Sequence, residues 1–285
     1  MAWFGSIAAG LAGRSRLRRM GYGLLALVTA IAVWWSPPQV AQARDWLDLI
    51  FRGVQVLQLS NLSDRDEVQL GRQIDQQLTR QTRIITDRRI NAYVSAVGDR
   101  LVQASSRPNI PYTFRVIADR SVNAYATMGG FVYINAGLML TADNEAQLAS
   151  VIGHEIGHVA ARHAVGQMRQ RAIAAGVLSA TGLDRNRAVQ IGVDLAVNRP
   201  NSRSDELEAD QLSLEMMRRS GYGQIGAIQF FEKLLGQPSP PNILSTHPNT
   251  RDRIAIARQQ IQPRYADGAG LDNRAYQALL QSLFR

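Results

Sequence analysis

Two of the four histidines in this 285-residue chain stand four residues apart, in His154-Glu155-Ile156-Gly157-His158. On a helix, residues i and i+4 share a face about one turn apart. Both imidazoles can then reach one metal ion. Glu155 falls about 100° round the helix from His154, beside such an ion. A carboxylate there can take a proton from a water that zinc has acidified. The H-E-x-x-H spacing is that of a hydrolytic zinc site. Reading the two histidines as core filler leaves unexplained why two polar groups, costly to bury, share one face. The rest of that face is small: Ser150, Gly157 and Ala161, read as room for a metal and a substrate backbone. Leu148, Ile152, Ile156 and Val159 lie opposite and read as the core anchor.

A catalytic zinc site needs a third protein ligand and an open position. Ser202-Arg203-Ser204-Asp205-Glu206-Leu207-Glu208-Ala209-Asp210 supplies candidates. Glu206 and Asp210 are i and i+4 on an expected helix. One can bind the metal while the other accepts a hydrogen bond from a ligand imidazole and fixes its tautomer. Taken alone, such an acidic turn is more often a solvated helix start. His163 projects opposite His154 on a continuous helix and is read as structural. No cysteine is present, so no thiol serves as nucleophile or ligand and no disulfide braces the fold.

These groups need elements to hold them. Helices are expected from Ser63 to Arg80, with Ser63 as cap and Asp64, Asp66 and Glu67 in the first turn, and from Asp87 to Ser105. Tyr112 to Ile117 alternates like a strand. Val122 to Tyr125, the Gly129-Gly130 turn and Phe131 to Ile134 read as a hairpin. Thr141 or Asp143 opens a long helix carrying the histidine pair to about Arg169. Residues 170–200 are rich in Ala, Gly and Val, and Asn198 to Asn201 reads as a loop. Further helices are expected over Ser204–Arg219, Ile225–Leu235 and from about Asn249, with a loop over Pro238–Pro241. Residues 46–59 read as an amphipathic helix lying against the domain or a membrane surface.

The chain resembles the zinc metallopeptidase family of the CAAX prenyl endoprotease, HtpX, Oma and BepA. The resemblance rests on His154 to His158 with Ala161-Arg162-His163, on Ser202-Arg203 through Glu206 to Asp210, and on Asn123-Ala124-Tyr125-Ala126 before Gly129-Gly130. It covers most of residues 60–262. It implies a mainly helical α+β, zincin-like domain with a small sheet packed on the H-E-x-x-H helix. It implies one Zn2+ per chain, with Glu206 as third ligand beside His154 and His158, and Asp210 holding a ligand histidine. An edge strand is implied to pair with an extended polypeptide substrate, with Asn123, Ala124, Tyr125 and Ala126 near that edge as candidate substrate-binding residues. Related envelope members carry a Ser/Thr-His-Pro loop like Ser245-Thr246-His247-Pro248, which raises His247 from a surface residue to a candidate at the metal. His247 could occupy the open position at rest or stabilise the oxyanion. The chain departs from the multi-span members in having no second long apolar run, and from BepA in having no helical-repeat segment.

The net charge of +9 comes partly from Arg14, Arg16, Arg18 and Arg19. These precede the apolar run Gly21–Trp35, the breaker Ser36-Pro37-Pro38 and the small-x-small pattern Ala41-Gln42-Ala43. Residues 1–43 read as a signal peptide or an N-terminal anchor, and residues 44–285 as one metallopeptidase domain. Beyond the leader, basic residues are scattered and Lys233 is the single lysine. No basic–aromatic run suggests a nucleic-acid groove. The expected function is a zinc endopeptidase of the cell envelope acting on unfolded or damaged proteins. The rival is a non-catalytic zinc-containing chaperone or assembly factor using the same cleft. The residues leave the oligomeric state open.

Overall fold

The computed structural model describes residues 56–57, 61–176, 183–198, 202–237 and 241–284. The leader over 1–43, most of the stretch 46–59 and most of the Pro238–Pro241 loop lie outside these residues. Within 46–59, Val56–Leu57 is not helical. It is a short strand, β1, paired antiparallel with β5 (Leu183–Asp184).

The first two helices form where caps and apolar spacing place them. Ser63 accepts from Asp66 N and opens α1 (Asp64–Gln81), and Asp87 accepts from Arg89 N and Ile90 N to open α2 (Arg88–Val102). A three-stranded sheet follows, built from β2 (Thr113–Ile117), β3 (Ala124–Thr127) and β4 (Phe131–Asn135). Its order is β2-β4-β3, with β2 parallel and β3 antiparallel to β4. One turn of 3-10 helix, Met128–Gly130, joins β3 to β4 through Gly129 at φ 75° and Gly130 at φ 92°. Only glycine takes these angles without strain. Among the described residues β3 has a strand on one side only.

The long helix expected to reach Arg169 is divided. Thr141 ends α3 (Ala136–Thr141), and Asn144, not Thr141 or Asp143, caps α4 (Glu145–Ala160) by accepting from Gln147 N. After Ala161 the chain turns at Arg162, whose φ of 59° is left-handed, and α5 (His163–Ala174) starts in a new direction. A left-handed non-glycine residue costs roughly 1–2 kcal/mol, and a specific clamp holds it. Arg162 Nε lies 3.0 Å from Glu67 Oε2, and Arg162 Nη2 donates to Leu62 O. Glu67 is fully buried, pairs also with Arg107 at 3.0 Å, and accepts from Gly129 N at 3.1 Å. One carboxylate thus ties the end of α4 to α1 and to the β3–β4 turn.

Beyond, α6 (Arg185–Asn198) occupies the Ala/Gly/Val-rich stretch, where no helix was expected. Ser202 caps α7 (Arg203–Ser220), which Gly221 ends in the left-handed conformation. The chain finishes with α8 (Ile225–Leu235), α9 (Asn242–Thr246), α10 (Thr250–Gln260), α11 (Pro263–Ala266) and α12 (Asn273–Leu283).

Every residue of α4 from Ala146 to Val159 is buried. It is the central helix, with the β3–β4 side of the sheet against it and α2, α7 and α8 on its other flanks. The fold is therefore a mainly helical α+β domain with a small sheet packed on the H-E-x-x-H helix. Among the described residues no helix is long and apolar enough to cross a membrane.

Candidate metal centre and cleft

The packing of α4 on α7 brings the site together. A Cβ on Gly157 would meet Ala209 O at 2.9 Å, and one on Gly153 would meet Ser213 Oγ at 2.8 Å. Ser213 Oγ donates to Ser150 O at 2.9 Å. The small residues of the histidine face therefore admit a second helix backbone, rather than leaving room for substrate as the sequence suggested. Their smallness sets Glu206 and Asp210 against the histidines. Gly157→Ala should cost about 1–3 kcal/mol by overpacking and lower metal content by pushing α7 back. Thermal unfolding and metal analysis check both, and an unchanged melting temperature with full metal content would show that α7 has room to yield.

His154, His158, Glu206 and His247 are buried, and one ligand atom from each lies within 4.8 Å of all the others. His154 Nε2 is 3.0 Å from His158 Nε2 and 3.4 Å from Glu206 Oε2, and His158 Nε2 is 3.3 Å from Glu206 Oε1. A tetrahedral zinc with bonds of about 2.0–2.1 Å sets its ligand atoms about 3.3 Å apart. The three expected ligands fit that spacing. Two imidazole nitrogens facing each other at 3.0 Å, with their other nitrogens engaged elsewhere, also suit a shared cation better than a mutual hydrogen bond.

His247, at the end of α9, joins the cluster. Its Nδ1 lies 3.2 Å from His154 Nε2 and 3.1 Å from Glu206 Oε1. Its Nε2 is 3.5 Å from Glu155 Oε1. Glu155 itself is 1% exposed, and its Oε1 has no hydrogen-bond partner. A buried carboxylate oxygen without a hydrogen-bond donor is costly, and at a cluster of ligand atoms a catalytic role or a bound ion explains it.

Around the ligands a charged network holds the geometry. Asp210 Oδ1 meets His154 Nδ1 at 2.9 Å. Arg253 grips Asp210 with Nε at 2.7 Å and Nη2 at 2.6 Å, and reaches Glu206 Oε2 with Nη1 at 2.6 Å. It also donates to His247 O at 3.2 Å. The side chains alone split the two imidazoles electrostatically. Burial opposes charge on both. On His154 the Glu206 carboxylate and the hydrogen bond that His154 donates to Asp210 outweigh it and push the pKa up to about 9, whereas on His158 burial prevails and brings it down to about 4. Burial would raise both carboxylates, but the histidines hold Glu206 far below the usual range, and Arg253 and His154 bring Asp210 to about 2.

Arg253 was missed in the sequence, where an arginine is expected at the surface. A signal existed: Thr250, Arg253, Ile254 and Ala257 sit at i, i+3, i+4 and i+7, so Arg253 falls on the buried stripe of α10. Glu67 carried no such signal, since an acidic residue in a first helical turn is ordinary.

A cleft opens beside the cluster. Glu155, His158 and Val159 line one wall, Asn123, Tyr125 and Ala126 of the edge strand another, and Leu195 and Ala196 of α6 a third. Ala124, expected with the strand's substrate residues, is instead fully buried opposite Ile134. Strand alternation turns it to the core. His163, expected to be structural, lies against His158: the two Nδ1 atoms are 2.8 Å apart.

Residues 88–261 match the model of peptidase family M48. The chain belongs to peptidase family M48. That match spans the central helix, the acidic segment of α7 and the His247 loop, and it is the metallopeptidase family that the motifs resemble. Among curated relatives of this M48 chain, the beta-barrel assembly-enhancing protease of Escherichia coli is 31% identical over 252 residues, covering 82% of this chain and 51% of that protein. Metalloprotease LoiP of Escherichia coli is 29% identical over 243 residues, 80% of this chain and 92% of LoiP. Metalloprotease YcaL of the same organism is 30% identical over 169 residues, 55% of this chain and 64% of YcaL. The chain thus spans about half the length of the first of these M48 relatives.

Proposed function

We propose that the chain is a zinc-dependent endopeptidase of the cell envelope that cleaves unfolded or damaged proteins. The observation that carries this reading is the buried cluster of ligand atoms from His154, His158 and Glu206, with the buried Glu155 carboxylate, whose Oε1 lacks a hydrogen-bond donor, at its edge and an open strand edge alongside. When bound, zinc supplies Lewis acidity that polarises the scissile carbonyl and eases deprotonation of a water. Glu155 takes that proton and returns it to the departing amine. The edge of β3 around Asn123, Tyr125 and Ala126 holds the substrate extended by main-chain hydrogen bonds. Asp210, held by Arg253, keeps His154 in the tautomer that offers Nε2. Hydrolysis of an unfolded protein by the full chain, lost with a chelator and restored by zinc, tests the proposal. Chelator-insensitive cleavage, or none with zinc present, would overturn it.

The position of His247 favours a resting block. Its Nδ1 stands among the ligand atoms, where it would compete with a substrate carbonyl for a bound metal. His247→Ala should therefore cleave unfolded substrates faster and less selectively. If His247 instead stabilises the oxyanion, kcat should fall roughly 100-fold or more with zinc retained. Rates on several unfolded substrates separate the two by sign. The same position supports the rival reading, a closed four-ligand zinc site in a non-catalytic chaperone or assembly factor. That rival has no use for Glu155, and the chelator-controlled cleavage assay decides between them.

The envelope location rests on the leader pattern, and the relative named for beta-barrel assembly agrees with it. Cleavage after Ala43 should leave Arg44 as the mature N-terminus. N-terminal sequencing of exported protein checks this, and an intact Met1 on membrane-bound material points to an anchor at the membrane surface.

A further inference from the structure

The two helix histidines are held differently at their outer nitrogens. His154 Nδ1 faces the carboxylate of Asp210. An ionised carboxylate only accepts, so His154 carries a hydrogen on Nδ1, and Nε2 is the nitrogen left for a metal. His158 Nδ1 faces another imidazole nitrogen, His163 Nδ1, at 2.8 Å. One of the two must carry the hydrogen, and nothing within that pair decides which. The decision lies one contact further out. His163 Nε2 is 3.2 Å from Glu208 Oε2. The carboxylate again only accepts, so His163 places a hydrogen on Nε2 and leaves its Nδ1 to accept. His158 must then donate from Nδ1, which leaves its Nε2 lone pair turned toward His154 Nε2 and Glu206 Oε1.

We infer that His163 and Glu208 are positioning residues that set the tautomer of His158 and thereby make it a metal ligand. The inference rests on the metal reading of the cluster given above. The fold brings the pair into place by the break at Arg162. On a continuous helix His163 would lie about 140° round from His158, out of its reach. The left-handed Arg162, clamped by Glu67, turns α5 so that the imidazole comes back onto His158. From the other side α7 delivers three acidic residues in alternation: Glu206 and Asp210 to the cluster and its surroundings, and Glu208 to His163. Glu208 therefore has a role although its side chain is 61% exposed. That exposure makes the two relays unequal. The one behind His154 ends in a carboxylate fixed by buried Arg253. The one behind His158 ends at the surface, where water can replace Glu208 as acceptor.

The test uses the full chain and Zn2+ alone, titrated against a chromophoric chelator, with nitrogen NMR of the histidine tautomers in the chelated protein. His163→Phe keeps a ring but removes the acceptor, and should weaken Zn2+ binding roughly 10–100-fold. His163→Gln restores an acceptor oxygen and should recover most of the loss. Glu208→Ala should lose less than His163→Phe. In the parent chain His158 should carry its hydrogen on Nδ1, and in His163→Phe it should move to Nε2. Should His163→Phe fail to fold by circular dichroism, the parent tautomer and the glutamine variant still decide. A parent chain with His158 protonated on Nε2, or a folded His163→Phe that binds Zn2+ as tightly as the parent, overturns the relay. A parent chain with the expected tautomer that binds no Zn2+ overturns the metal reading instead.

Discussion

Glu155→Gln is expected to lower kcat for peptide hydrolysis roughly 10²–10⁴-fold while one zinc per chain is retained. The side chain is buried, stands beside the ligand atoms rather than among them, and has an oxygen without a hydrogen-bond donor. Glutamine keeps the volume and removes the ability to take a proton. Because His154, His158 and Glu206 are untouched, metal content should not change. Metal analysis beside single-turnover cleavage reads both halves. Loss of zinc in this variant would put Glu155 among the ligands, and an unchanged kcat would give the proton transfer to another group.

Glu206→Ala is expected to empty the site. Both carboxylate oxygens are committed: Oε1 to His158 and His247, Oε2 to His154 and Arg253. Removing them also leaves Arg253, 2% exposed, with less negative charge to meet its own. Breaking a buried pair at one end typically costs about 3–5 kcal/mol, so the variant should lose thermal stability as well as zinc. Glu206→Gln keeps the volume and separates the two effects: packing recovers while zinc affinity stays low. Glu208→Ala is the graded comparison, since it acts only through His163 and should weaken zinc binding far less than Glu206→Ala. It shares the helix but points to His163, and it should still hold zinc at one per chain. If Glu206→Ala binds zinc like the parent, the third ligand has been assigned to the wrong carboxylate.

Much of this site was legible because its chemistry is local. His154, Glu155 and His158 lie within one turn and a half of helix, so spacing alone puts the imidazoles on one face. Glu206 and Asp210 share a face for the same reason. One cap was legible too: Ser63 opens its helix as a short polar residue before apolar periodicity does, whereas the helix of the histidine pair opens at Asn144 and not at Thr141 or Asp143. The hairpin of β3 and β4 followed from Gly129-Gly130 and alternation.

Other features depended on residues far apart in the chain. Periodicity ran on through Ala161 and Arg162, so the sequence implied one helix to Arg169. The break is imposed by Glu67, nearly a hundred residues earlier, which compensates the left-handed arginine. A helical projection therefore set His163 on the wrong side, and only the break makes it a partner of His158. Gly157 was legible as a small residue of the histidine face, but its use, with Gly153, as a seat for α7 required knowing which helix crosses there. Arg253 reads as one more surface arginine until α10 packs its stripe against the cluster.

The sequence by itself determined the helix of the histidine pair, the acidic helix that answers it and the family to which the chain belongs, because each is encoded within a few turns of chain. Only the tertiary structure decided what holds those ligands: the Arg253 clamp, the His163–Glu208 relay and the entry of His247. Buried charges must find partners wherever the fold can bring them, and in this chain the partners come from helices that sequence distance keeps apart.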